Sequence, residues 1–182
     1  MSSKPPSVKF ETKLVTSDAP PIYHYLYVEK DWVKPLGLVG NFRRVNCTVN
    51  GKVKFQCSLM GDGKGAYLIS INKEKRDKAG IEPGDTASVV LVKDQSKYGL
   101  PMAPELKEVL NQDPEGKRLF DAMTKGRQRS AIYYVGKAKD IDRRIQNALI
   151  IVEHIKNHEG SIDESKLHKE LRAAARSMTS DG

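Results

Sequence analysis

The sequence predicts an α+β protein: a small β-barrel of double-split type followed by a C-terminal helical bundle. Two patterns and a break between them carry this expectation. As far as Leu91 the apolar residues recur mainly at period two between turn residues, the signature of half-buried strands. After Pro104 they recur at three- and four-residue steps behind capping residues, the signature of amphipathic helices. Between the two, Gly99, Pro101 and Pro104 interrupt any periodicity. The resulting boundaries are residues 1–7 as a disordered N-terminus, 8–93 as the barrel and 94–104 as a linker. Residues 105–158 form the helical domain, and 159–182 a partly disordered helical extension.

Residues 8–16 alternate through Val8, Phe10, Thr12 and Leu14 and read as the first strand, closed by the breaker Ser17-Asp18-Ala19-Pro20-Pro21. Residues 22–28 are aromatic and β-branched and read as the second. Residues 30–38 are compatible with a short helix that carries Trp32 inward before Pro35 stops it. Residues 42–60 form a hairpin around Asn50-Gly51. A two-residue loop would set Val49 and Cys47 against lysines, so a three-residue loop with a glycine bulge is expected. Neither register places Cys47 opposite Cys57, and buried free thiols are expected rather than a disulfide. Residues 66–91 then give strand, short helix, turn and strand. Gly80 ends the helix, and Glu82-Pro83-Gly84-Asp85 makes the turn.

The helical half begins with a short helix over 104–110. A second runs over 113–124, with Pro114 at its first position behind Asp113 and with Leu119, Phe120 and Met123 apolar. A third, over 127–139, has Ala131, Val135 and Ala138 on one stripe and Ile132 beside it. The strongest runs over 140–157, capped by Asp140, with Ile141, Ile145, Leu149, Val152 and Ile155 as its apolar face. Gly160 ends it. A last helix over 161–178 carries a capping box from Ser161 to Glu164, then Leu167, Leu171, Ala174 and Met178.

Composition narrows the function classes. A net charge of +8 turns attention to acidic partners: nucleic acid, an anionic surface or an acidic protein. Two cysteines without CxxC spacing suggest neither a disulfide framework nor a zinc site. The N-terminus lacks the apolar core of a signal peptide, and no apolar run is long enough to span a bilayer, so a cytoplasmic protein is expected.

Two resemblances rest on particular motifs. R-V-N-C-T-V-N-G-K-V-K-F, G-D-G-K-G-A-Y-L-I-S-I-N-K and A-G-I-E-P-G-D-T-A-S-V-V-L make residues from about 10 to 91 resemble a bacterial domain family of unknown function with an all-β barrel. P-E-L-K-E-V-L, F-D-A-M-T, A-K and R-R-I make residues from about 101 to 155 resemble the YdeI/OmdA-like family, described as bacteriocin-protection or OmpD-associated. That resemblance implies a longer spacer with a threonine–arginine pair between Lys139 and Arg143, which this chain lacks. The stretch 66–91 is also similar to the swapped-hairpin barrel of AbrB and MazE transcription factors, with Ile71 and Arg76 on their isoleucine and first arginine. Asn72 replaces their usual proline and Asp77 their second arginine, which reverses the sign of a phosphate contact.

The expectation is therefore a non-enzymatic protein that contacts an anionic partner, nucleic acid or acidic protein, in the stress or envelope protection the resemblance implies. The residues expected to make the contact, at the barrel–helix junction, are Arg127, Arg129, Lys139, Arg143, Arg144, Arg43, Arg44 and Arg76. Two alternatives stay open. One is a small-ligand protein or enzyme with a pocket at that junction, the other an AbrB-like transcriptional regulator. No catalytic residues stand out, because there is no G-x-S-x-G elbow and no carboxylate pair in an apolar setting. Gly61-Asp62-Gly63-Lys64-Gly65 leads into a strand rather than a helix and reads as a hairpin connection, not a phosphate loop. His154 and His158 have a metal-compatible spacing but no intervening glutamate, so neither metal nor cofactor is expected. Tyr23, Tyr25 and Tyr27 share one face of their strand, where rim packing or base stacking could use them, and His24 falls on the aliphatic face. Monomer and dimer are both open.

Overall fold

The computed structural model describes residues 5–18, 23–38 and 43–180 and divides the chain into two compact units, Met1–Gln95 and Ser96–Gly182. Ile22, Phe42 and the side chain of Met178, which enter the sequence reading, lie outside the described residues, as do Ala19, Pro20 and Pro21.

The first unit is a curled antiparallel sheet of β1 (Ser7–Thr16), β2 (His24–Val28), β3 (Arg44–Val49), β4 (Val53–Ser58), β5 (Met60–Gly61), β6 (Tyr67–Ser70) and β7 (Thr86–Lys93). The strand order is β4-β3-β7-β1-β2-β6-β5. β1 is the hinge of the curl: it pairs with β7 over Ser7 to Lys13 and with β2 over Leu14 to Thr16. Both edges, β4 and β5, are neighbours in sequence, separated by the single buried residue Leu59. The expected barrel is thus a half-barrel, in which a corner of chain bridges the two edges. One face of the sheet, through Leu14, Leu26, Val45, Cys47, Ile69, Val89 and Leu91, packs into the core.

The register of the β3–β4 hairpin is the odd one: Val49 pairs with Val53 and Cys47 with Phe55, which leaves a loop of Asn50, Gly51 and Lys52. Positive φ falls on Asn50 (50°) and Gly51 (64°), not on the third loop residue, so Lys52 rather than a glycine is the extra residue. The reason lies in the Asn50 side chain. Its Nδ2 donates to the Ala79 carbonyl (3.2 Å) and its Oδ1 accepts from Ser88 N–H (2.9 Å). Both cysteines are free, with Cys47 buried. A hydrogen bond with Cys57, then burial, push the Cys47 thiol far above its ordinary pKa.

Two short helices close the core. A 3₁₀ helix, Lys30–Leu36, buries Val33 and Leu36 and lays Trp32 against Phe10, with ring centroids 4.7 Å apart. Pro35 sits inside it instead of stopping it; left-handed Gly37 is the stop, its N–H bonded to the Lys34 carbonyl. The helix α1 (Lys73–Ala79) starts at Asn72, whose side chain accepts from Lys75 N–H, and ends at left-handed Gly80.

The second unit holds α2 (Pro104–Gln112), α3 (Pro114–Ala122), α4 (Lys125–Gly136), α5 (Ile141–Asn157) and α6 (Glu164–Ser180). Asp113, Thr124 and Asp140 cap α3, α4 and α5 in turn. Asp113 also binds Lys156 of α5 (3.0 Å). The Gly116 N–H and that lysine hold its carboxyl below the usual range. The α6 cap is Asp163, which accepts from Lys166 N–H (3.1 Å), not Ser161. The Ser161 N–H is spent on the turn after α5, on the His158 carbonyl. Tyr98, Leu100 and Met102, expected in a linker, pack on the core of this unit.

The buried face of α5 runs through Ala148, Ile151, Val152 and Ile155, while Ile141, Ile145 and Leu149 are 59%, 41% and 54% exposed. A helix this apolar offers two stripes of helical period, and packing selects the one carrying the small Ala148 and polar Asn147. Gly116 of α3 makes the closest approach: a Cβ there would overlap a Val152 methyl group and crowd the Asp113 side chain.

Gly116→Ala is expected to destabilise the protein by about 1–3 kcal/mol in urea unfolding, through overpacking, and Val152→Ala in the same chain to recover part of that loss. Asn50→Gly keeps the left-handed turn but removes both side-chain bonds. A loss of about 1–2 kcal/mol is expected from the same measurement.

Candidate functional site

Within the second unit, a cleft of about 500 Å³ opens between the 100–105 segment, the last turns of α4 and the first turn of α5. Local sequence shapes it. Pro101 and Pro104 bracket an extended approach to α2, and Ala103 is held in β conformation at φ −61°, ψ 136°. The walls are largely apolar, from Leu100, Pro101, Met102 and Ile132, with Tyr133 and Gly136 at the side. Three charged residues line the rest: Glu105, Lys137 and Arg144.

Arg144 organises the charged end. Its Nε donates to Glu105 Oε1 (2.9 Å), and its Nη1 donates to the carbonyls of Ala138 (3.2 Å) and Lys139 (2.9 Å). This pins the α4–α5 loop to the start of α2. Glu105 stands in the first turn of α2, where the pull of its own backbone N–H, then of Arg144, holds its carboxyl below the ordinary range. Its Oε2 is buried without a hydrogen-bond partner among the described residues. The Lys137 ammonium lies over Tyr134 (4.8 Å to the ring centroid) and Tyr133 (5.8 Å), which directs it beside the cleft. Tyr134 is fixed in turn by His168 of α6, 3.1 Å from its hydroxyl, and burial raises its pKa.

The arginines singled out in the sequence are mostly engaged within their own units. Arg143 Nη2 donates to the Leu171 carbonyl of α6 (3.3 Å). Arg44 lies 3.8 Å from Asp94, Arg43 over the Tyr67 ring at 5.4 Å, and Arg76 Nη1 donates to the Ile71 carbonyl (3.0 Å). Arg127 is exposed and Arg129 half-buried, both near the start of α4. Its 12 residues at about 1.5 Å each make α4 about 18 Å long. Arg127 and Arg129 therefore stand at the end of α4 remote from Arg143 and Arg144, and the intervening turn gathers only Lys137, Lys139 and the second pair. Lys139 is exposed in that turn. Glu105 was missed as a site residue, because an acidic residue in the first turn of a helix is ordinary helix chemistry.

A second cavity of about 490 Å³ lies along α5 and α6, lined by Leu149, Ile150, Glu153, His154, Asn157 and Glu170. Both ring nitrogens of His154 are engaged there: Nδ1 with Glu170 (2.8 Å), and Nε2 as acceptor from Asp163 N–H (3.1 Å). The acceptor role of Nε2 assigns the proton to Nδ1. His158 stacks on His154 at 4.0 Å and bonds the His154 carbonyl. The pair fastens the start of α6 to α5 and leaves no lone pair of His154 for a metal.

Arg144→Met is expected to lower stability by about 1–3 kcal/mol in thermal unfolding, since the Ala138 and Lys139 carbonyls lose their donor. With its folded pKa depressed, the Glu105 carboxylate contributes stability above its unfolded value. That contribution is lost as pH falls through the lower folded value, so the gap between wild type and Arg144→Met should narrow in acid.

Residues 10–91 match the family described as a domain of unknown function (DUF1905), and residues 100–158 match the family described as Bacteriocin-protection, YdeI or OmpD-Associated. These are the two resemblances read from the motifs, in the same order. No curated protein matches the chain.

Proposed function

For a chain that joins a DUF1905 domain to a bacteriocin-protection, YdeI or OmpD-associated domain, we propose a binding role in which the helical unit captures a small anionic amphiphile. The ligand class is an apolar body bearing a carboxylate or phosphate. The supporting observation is the convergence of Lys137 and Arg144 on one mostly apolar cleft. Its volume of about 500 Å³ falls in the range of small-molecule sites. The apolar walls would take the body and Lys137 the head, while Arg144, already tied to Glu105 and the loop, would hold that end in shape. A protective role of the kind in the family's description would then be capture of a membrane-active or toxic small molecule.

The direct DNA-reading alternative gains little. Arg76, the residue on the transcription factors' first arginine, donates to Ile71, and Asp77 is paired with Lys73 at 2.8 Å.

The proposal is tested by calorimetric titration of the full chain with aromatic and medium-chain aliphatic carboxylates and phosphate monoesters. Lys137→Gln is expected to weaken binding about tenfold. Gly136→Phe, at a position where an added Cβ meets nothing within 4 Å, should abolish binding without loss of folding. Arg127→Ala at the far end of α4 should bind normally. Absence of heat with every ligand, or undiminished binding by Gly136→Phe, would overturn the assignment.

A further inference from the structure

The outer face of the curled sheet, in the other unit from the cleft, presents a row of tyrosines. Strand alternation fixes its composition. Leu14 of β1 pairs with Leu26 of β2, and both are buried, so the residues on either side of each point outward. On β1 these are Lys9, Glu11, Lys13 and Val15; on β2 they are Tyr25 and Tyr27, with Tyr23 just before the strand. Leu68 and Ser70 of β6, paired with Tyr27 and Tyr25, continue the face. Tyr23 is 56% exposed and Tyr27 37%, while Lys9 and Lys13 are exposed. The elements that close the first unit's core, the 3₁₀ helix and the segment from α1 to Ile81, bury their apolar residues in the core on the opposite face.

We propose that this face binds single-stranded nucleic acid. Three features select that partner. Tyrosine rings offer flat surfaces on which any base can stack. Alternate residues on one face of a strand are about 6.7 Å apart, twice the rise per residue. Bases stacked in a duplex are separated by about half that distance and present no free faces. An unstacked strand, with six rotatable backbone bonds per nucleotide, can be drawn out to the tyrosine spacing. Finally, Lys13 stands two residues along β1 from Val15, the partner of Tyr25, and so flanks the Tyr27 end of the row; Lys9 lies further along the same face, where β1 pairs with β7, with Glu11 between the two lysines. The site lies in the other unit from the cleft and does not depend on it.

The experiment is fluorescence anisotropy of dye-labelled dT20 and U20 oligonucleotides with the full chain. A self-complementary duplex of equal length and labelled poly-glutamate serve as comparison probes. Binding of the single strands should exceed that of the duplex at least tenfold, and the tyrosine emission should be quenched. The double variant Tyr23→Ala/Tyr27→Ala should lose at least tenfold in affinity while keeping the wild-type unfolding midpoint, and Tyr23→Phe/Tyr27→Phe should retain it. The slope of log affinity against log salt should fall by about 1.4 in Lys9→Gln/Lys13→Gln, two contacts at about 0.7 each. Equal binding of poly-glutamate, preference for the duplex, or unchanged affinity of the folded tyrosine-to-alanine variant would each overturn the proposal. So would a failure of either single strand to bind at low salt.

Discussion

Buried carbonyl oxygens need donors, and in this protein long polar side chains supply many of them. Arg144 serves the Ala138 and Lys139 carbonyls, Arg143 serves Leu171, and Arg76 serves Ile71. Gln128 donates to Phe120 (2.8 Å), Asn147 to Tyr134 (3.1 Å) and Asn50 to Ala79. Most of these acceptors stand at helix ends or in turns, where the regular ladder has run out and water is partly excluded. An unmet carbonyl there would cost as much as a lost hydrogen bond, so these side chains help to hold the turns and helix ends together. That requirement turns residues that look like an anion-binding surface into internal struts.

The same economy shapes the two units separately. In the first, β1 is shared by both halves of the sheet, and at Leu14 its backbone N–H and carbonyl are taken up by Asp85 and Gly84 of the turn before β7. The Glu82–Asp85 turn is thus more than a connection; it bonds the strand where the sheet bends. The corner at Leu59 then brings the two edge strands together without a ladder between them. In the second unit, α5 packs against α2, α3, α4 and α6 alike. Lys156, bonded to Glu153 and Asp113, adds a polar tie to α3, and these two carboxylates raise its pKa well above the ordinary lysine value.

With these arginines tied to carbonyls, exposed lysines are what stand at the two candidate sites. Lys137 lies beside the cleft against Tyr133 and Tyr134, and Lys9 and Lys13 are exposed on the outer sheet face. This distribution has a chemical logic. The planar guanidinium, with five fixed donors, suits several carbonyls at once, whereas a mobile ammonium on a long stem suits a hydrated surface. Net charge alone does not distinguish basic residues tied to carbonyls from those that are exposed.

The sequence by itself determined the α+β class, the order and approximate extent of nearly every element, the odd hairpin register and the Asp113 and Asp140 caps. Each of these depends on residues a few positions apart: the alternation through Val45, Cys47 and Val49, Pro114 behind Asp113, and Gly80 after a short helix. Both family resemblances were legible for the same reason, being carried by contiguous motifs. Only the tertiary structure decided which stripe of α5 is buried, because Ile145 and Ile151 satisfy the same local periodicity and only the neighbouring helices distinguish them. It also decided that Arg144 meets Glu105, 39 residues away, and that a cleft opens beside them. A side chain's partner across that distance depends on how helices pack, and periodicity along one chain segment carries no information about it.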